Sequence, residues 1–311
     1  MKVLLIFFGI FVGIFVPIQT AVNSRLRISV NSVNLASFFS FFSGTIILTI
    51  ITLISGQPLA FTSHQIAILP WWAYIGGLLA FACLTLNIVF FKTLGSVLTV
   101  ILPISGQMVM SLLIDNFGWF DSQQLSLTLS KICGAIILFI GLYMAVVYGN
   151  KSKATAIKSS NHFNKFLLEI LAVGEGAIFA CEAAINAHLG VTIHSSAHSA
   201  LLAFFIATVI LAFVCLIHGD FKALSRLSLY PVPWWGYLGG LFGSLNVYSQ
   251  AFLIPLLGNG VATLLALLGQ MIMSLLIDQF ALFQSAQRKI NRPKILGLCI
   301  MLIGIMIIEL L

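Results

Sequence analysis

Gly106-Gln107-Met108-Val109-Met110-Ser111-Leu112-Leu113-Ile114-Asp115 returns almost unchanged as Gly269-Gln270-Met271-Ile272-Met273-Ser274-Leu275-Leu276-Ile277-Asp278. Residue 269 minus residue 106 gives an offset of 163, which also pairs Pro70-Trp71-Trp72 with Pro233-Trp234-Trp235 and Gly76-Gly77 with Gly239-Gly240. It holds at both ends of the unit, joining Gly13 to Gly176, Asn23 to Asn186, Lys131 to Lys294 and Gly141 to Gly304. The chain reads as a duplication, and its function has to make use of two copies.

The composition sets the medium in which the copies fold. Hydrophobic residues make up 60% of the chain and charged residues 7%, with a mean hydropathy of +1.11, more apolar surface than a soluble fold can hide. Apolar runs of about 20 residues fit helices crossing a hydrocarbon core roughly 30 Å thick, whereas barrel strands would be half as long and alternating. The expectation is an all-α integral membrane protein with spans near 3–23, 35–54, 71–91, 97–117, 131–149, 166–186, 198–217, 234–255, 260–280 and 294–311. The first run has the look of a signal peptide but lacks a small-residue cleavage site, and its repeat partner lies mid-chain, so it reads as a membrane helix.

These spans divide into a first five-helix repeat at 1–149, a polar linker at 150–165 and a second repeat at 166–311. An odd number of spans per copy sends the second copy into the membrane in the opposite direction, which makes ten transmembrane helices in two inverted repeats. The net charge of +7 is a topology signal and not a nucleic-acid footprint, because the 15 Lys and Arg stand almost entirely at the ends of apolar runs. With both termini outside the cytoplasm, only Lys2 and Lys131 face out. The Arg25–Arg27, Lys92, linker, Lys222–Arg226 and Arg288–Lys294 loops then face in. The tryptophan pairs 71–72 and 234–235 fit the membrane interface, and the glycine pairs after them fit close helix contacts.

Polar residues at membrane depth each need a partner or a cavity. Gln107 and Gln270 fall near the middles of the fourth and ninth spans, each after a glycine, so the two amides are candidates to meet at a central site. The bland alternative is helix glue worth roughly 1 kcal/mol. Gln19 and Asn23 on the first span, and Glu182 and Asn186 on the sixth, are four residues apart and share a helical face. Glu175, seven residues before Glu182, joins the second stripe. A charged carboxylate in hydrocarbon costs something like 3 kcal/mol even on a lenient scale, so such a group can exchange a proton for a cation, or simply sit protonated and hydrogen-bonded in the bundle. The first repeat has Val12 and Gln19 at the two acidic positions, which makes any acid–base role one-sided. Asn87 on the third span, with Asn246 and Gln250 on the eighth, are candidate lining residues.

Asp115 and Asp278, at span ends, fit solvated caps or salt bridges to loop bases. His188, His194 and His198 are expected in a short loop, without a carboxylate or a spacing that suggests a metal. The five cysteines fit small buried hydrophobes. No nucleophile, zinc or phosphate-loop motif points to an enzyme, and no cofactor is implied.

Pro17-Ile18-Gln19-Thr20-Ala21-Val22-Asn23 and the two Gly-Gln blocks resemble the drug/metabolite transporter superfamily, most closely its YdcZ-like branch, EamA-related, in the fused two-repeat form. The resemblance implies a ten-helix bundle around a central cavity and movement by alternating access. Related small multidrug-resistance proteins couple through a glutamate in their first helix, to which Glu175 or Glu182 is the nearest equivalent here. The expectation is thus a secondary active transporter of a small organic molecule in the inner or plasma membrane, exporting, with protons as candidate coupling partners, and acting as a monomer or homodimer. The alternatives are a carrier of lipid-linked or amphipathic substrates, or a membrane scaffold without flux.

Overall fold

Pro17 sets the shape of the first span. It lacks the N–H that would bond the Gly13 carbonyl four residues earlier, and its ring crowds that carbonyl. In the computed structural model, which describes residues 2–144, 162–285, 287 and 291–310, the first span accordingly breaks into α1 (Lys2–Gly13) and α2 (Phe15–Val30), with Ile14 N–H donating to Phe11 O in a tightened turn. The repeat partner of Pro17 is Ala180, and there α8 (His162–Thr192) runs 31 residues without a break.

The other helices are α3 (Val33–Ile54), α4 (Ser63–Ile68), α5 (Gly76–Thr93), α6 (Gly95–Phe117), α7 (Leu129–Tyr143), α9 (Ser196–His218), α10 (Gly239–Leu257), α11 (Asn259–Phe280) and α12 (Arg292–Leu310). No strand occurs among the described residues. Among the described residues, six segments are long and apolar enough to cross a membrane: Val3–Val30, Val33–Ile54, Trp71–Phe91, Ser196–His218, Gly239–Leu257 and Asn259–Phe280.

Local structure repeats at the same offset as the sequence. Asn31 and His194 both take φ 54°, and the serines after them cap α3 and α9, Ser32 Oγ accepting from Leu35 N–H and Ser195 Oγ from His198 N–H. Phe120 and Phe283, at φ 58° and 55°, turn the chain after α6 and α11 and place their rings on Trp72 and Trp235.

Several expectations need correction. The first span does not stop at residue 23: the helix continues to Val30, so Arg25 and Arg27 lie in its last turns and not in a loop. Their long stems let charged heads reach water from a helix end. His188 belongs to α8 and His198 to α9, leaving only His194 in the connecting turn. Cys133 and Cys299 are exposed on the outside of their helices, while Cys83 and Cys215 are buried as expected. Residues 145–149 of the fifth expected span, linker residues 150–161, and Arg288 and Lys289 lie outside the described residues.

Glycines set how the helices meet. A Cβ on Gly13 would strike the Ala266 carbonyl, and one on its repeat mate Gly176 would strike Pro103 O, itself the mate of Ala266. Gly106 against Val173 O and Gly269 against Ile10 O form the same reciprocal pair. So do Gly77 against Ala203 O and Gly240 against Ser40 O, which bears out the close-contact reading of the glycine pairs. Along the seam between α3 and α9 residues meet their own copies. Phe41 and Phe204 lie edge to face with centroids 4.9 Å apart, and the Thr45 and Thr208 hydroxyls are 3.0 Å apart. Partner exchange of this kind is the mark of a two-fold relation between the copies.

Candidate functional site

A cavity of about 30 Å³, room for a water molecule or two, opens where α2, α3, α5, α8, α9 and α10 converge. Its lining is ordered by the repeat. Val16 is matched by Phe179, Gln19 by Glu182, Phe41 by Phe204, Ala80 by Gly243, Cys83 by Asn246 and Leu84 by Val247, each pair one repeat apart; Thr20 and Asn87 complete the wall. The cavity therefore straddles the line on which the two copies meet. Its one acidic side chain is Glu182, with Gln19 at the matching place.

Of the residues singled out in the sequence, Gln19, Asn87, Glu182 and Asn246 line this cavity. The rest stand behind them or elsewhere. Glu182 is 2% exposed and its Oε1 accepts from Asn186 Nδ2 at 2.5 Å, the i,i+4 contact the spacing demanded. Asn186 Oδ1 is buried without a partner, as is Oδ1 of its repeat mate Asn23, whose Nδ2 donates to Ser40 Oγ at 3.0 Å. These amides lean on glycines: a Cβ at Gly76 would come within 3.0 Å of Asn186 Oδ1, and one at Gly239 would overlap the Asn23 amide. Gly243 makes the same room for Gln19.

Glu175 is 1% exposed, with Oε1 accepting from Asn87 Nδ2 at 2.8 Å and Oε2 unpartnered. Its backbone carbonyl accepts from Cys83 Sγ at 3.7 Å. The opposite half repeats this contact with different atoms, Asn246 Nδ2 donating to Val12 O at 3.3 Å. Gln250, at the place of Asn87, has only Val12 where Glu175 would be, and its Oε1 is buried and unpartnered.

Gln107 and Gln270 are buried but lie outside the cavity lining. The glycine before each is used by helix α8 or α1, whose carbonyls fill the space a ligand would need.

The aspartates meet their expectation in part, Asp278 pairing with a basic side chain, but neither is solvated. Both are buried: Asp115 accepts from Asn259 N–H at 3.0 Å and Gly260 N–H at 2.6 Å, gripping the start of α11, and Asp278 lies 4.0 Å from the buried Lys294 amine. Four-residue spacing could not reveal a cap 144 residues away, although the repeated Asp–Lys pairing of 115 with 131 and 278 with 294 was a usable signal. His188 lies against Trp72 with the rings tilted by 52°, and its Nδ1 is 3.9 Å from the exposed Asp121, while His198 bonds Leu59 O. No cluster fit for a metal occurs among the described residues.

The family described as "Putative inner membrane exporter, YdcZ" matches the chain twice, at residues 4–144 and 167–307, so the two matches are themselves 163 residues apart. The chain belongs to the YdcZ family of drug/metabolite transporters. Membership makes it a multi-pass inner-membrane protein of a transporter family, with the bilayer as its medium and a small molecule as the class of cargo. A solved crystal structure described only as "Crystal structure of protein" shares its fold, with a TM-score of 0.57 and 13% identity over 97% of this chain and 96% of that one. Comparison with curated proteins finds no match.

Proposed function

We propose that this chain is a secondary active exporter of a small organic molecule, working by alternating access through the cavity between its two copies. In this reading ten spans form two inverted five-helix repeats, residues 1–149 and 166–311 joined by the linker at 150–165, with both termini outside the cytoplasm. Cargo binds among Gln19, Asn87, Glu182 and Asn246, backed by Asn23, Asn186 and Gln250. Gln107 and Gln270 hold α6 and α11 in place, and one of the two α8 carboxyls, Glu175 or Glu182, couples transport to protons.

The observation that carries the reading is the cavity lined by six matched pairs with a single carboxyl. A site on the line between two inverted copies is equidistant from both membrane faces, so each half can close over it in turn. The space of about 30 Å³ fits a closed conformer, one from which the helices part to admit cargo.

Currents across supported membranes carrying the purified protein, screened over amines, amino acids, nucleosides and sugars at two pH values, test the reading. A parallel assay of internal pH in liposomes catches electroneutral exchange. A compound-driven signal in the wild type that is lost in Glu182→Gln supports it. Silence in both assays from folded protein rejects transport of these classes.

A further inference from the structure

Two carboxyls sit at membrane depth on α8, yet only Glu182 lines the cavity. Glu175 lies two turns earlier, about 10 Å along the axis at the usual helical rise. It meets the cavity wall through Asn87, which both lines the wall and donates to Oε1. Oε2 is free, and among the described residues no basic side chain pairs with the group. Its titratable neighbour is Cys83 on α5, which also faces Cys181 and Glu182 on α8. The ionisable side chains Asp115, Asp278, His198 and His218 stand at the ends of α6, α11 and α9, and α10 carries no charged residue.

The other half of the molecule is a built-in control. Val12 stands where Glu175 does and is fully buried, yet the helix contact there survives, with Asn246 Nδ2 on Val12 O in place of Cys83 Sγ on Glu175 O. The carboxyl is therefore not what joins α5 to α8. A buried carboxyl that this contact does not need, with no basic partner among the described residues, is a candidate proton-binding group.

We propose that Glu175 is a proton-carrying site separate from the cargo site at Glu182, with Asn87 positioning it and linking it to the cavity; this rests on the transport reading above. The proton resides on Oε2 while Asn87 Nδ2–H donates to Oε1. When the cavity opens to one side, the Oε2–H bond breaks, the proton bonds to a water oxygen and the electron pair stays on the carboxylate; on the other side a water-borne proton is regained. Cargo need never touch Glu175, so one carboxyl recognises and the other couples.

The test is pH-difference infrared spectroscopy of the full chain in liposomes, which needs no known cargo. Among the buried-carboxyl bands, to which Asp115 and Asp278 can also contribute, one is expected to be lost in Glu175→Gln and another in Glu182→Gln. Asn87→Leu should move only the Glu175 band and displace its pH midpoint by about one unit, the worth of one hydrogen bond. Asn87→Gln, the residue the fold already holds at position 250, should restore both. Loss of no band in Glu175→Gln, or an unmoved Glu175 band in folded Asn87→Leu, would overturn the inference. That result beside a compound-driven current would leave transport standing, whereas titrating bands without any flux would sink transport and not the proton site.

Discussion

Thr45 and Thr208 hydrogen-bond to one another at 3.0 Å although 163 residues separate them, which is to say that each touches its own copy. Only residues on the line relating the repeats can do so, and Phe41 with Phe204 one turn away does the same. The cavity wall includes that second pair. The seam between α3 and α9 thus borders the site, and locking it should lock the transporter. In a chain freed of its native cysteines, Thr45→Cys with Thr208→Cys should cross-link on mild oxidation, read as two fragments held together after proteolysis in the linker. Flux of any transported compound should fall at least tenfold and return on reduction. No cross-link in folded protein would mean the seam is not formed in the membrane.

Gly174 and Gly176 are two residues apart on α8 and should respond to the same substitution with opposite signs. A Cβ on Gly176 would strike Pro103 O, while one on Gly174 meets nothing within 4 Å. Gly176→Ala should cost about 1–3 kcal/mol through overpacking, and Gly174→Ala should gain up to about 1 kcal/mol of helix propensity. Thermal unfolding in detergent measures both, and equal shifts would refute the close contact of α8 with α6.

How much of this was legible in the sequence follows from the range of each interaction. Glu182 with Asn186 could be read because four residues bring two side chains onto one helical face. The reciprocal contacts between the copies could be read in outline because the chain is written as a repeat. The reach of α2 to Val30 could not, since Arg25, Ser29 and Asn31 look like a loop until the Ser32 cap and the left-handed Asn31 show where the helix ends. Gln107 and Gln270 misled for a similar reason: a glycine before a buried amide makes room, but sequence alone does not say whether a ligand or another helix takes it. Asp115 looked terminal to α6, and its partner was the start of α11.

That cap gives a quantitative expectation. Asp115 satisfies two N–H groups with two oxygens, and Asn can accept with only one. Asp115→Asn should cost about 1–2 kcal/mol, as losses of helix caps do. Lys294→Met, which takes the base from the buried Asp278, should cost more, about 3–5 kcal/mol. Adding Asp278→Asn should recover part of that loss, because the stranded charge goes with it. Denaturation midpoints in detergent decide, and a double variant less stable than Lys294→Met alone would show that the pair is not acting as a pair.

Glu182 and Gln19 stand one repeat apart on the same cavity, and each has an asparagine four residues on, Asn186 and Asn23. If the site lies on the line between the copies, the cargo's carboxyl partner can be moved to the mirror position. Glu182→Gln should abolish the flux of a transported compound, and adding Gln19→Glu should restore part of it. Asn23 now donates to Ser40, so it must turn through its side-chain torsions to serve the relocated carboxyl as Asn186 serves Glu182, and full recovery is not expected. The proton site also stays behind: Glu175 remains on α8 and Asn87 on α5, and their mirror places hold Val12 and Gln250. Recovered flux that had become less steeply dependent on pH would tie recognition to the symmetric cavity and coupling to the one-sided pair. No recovery from a folded double variant would mean that the two faces of the cavity are not interchangeable and that recognition is as one-sided as coupling.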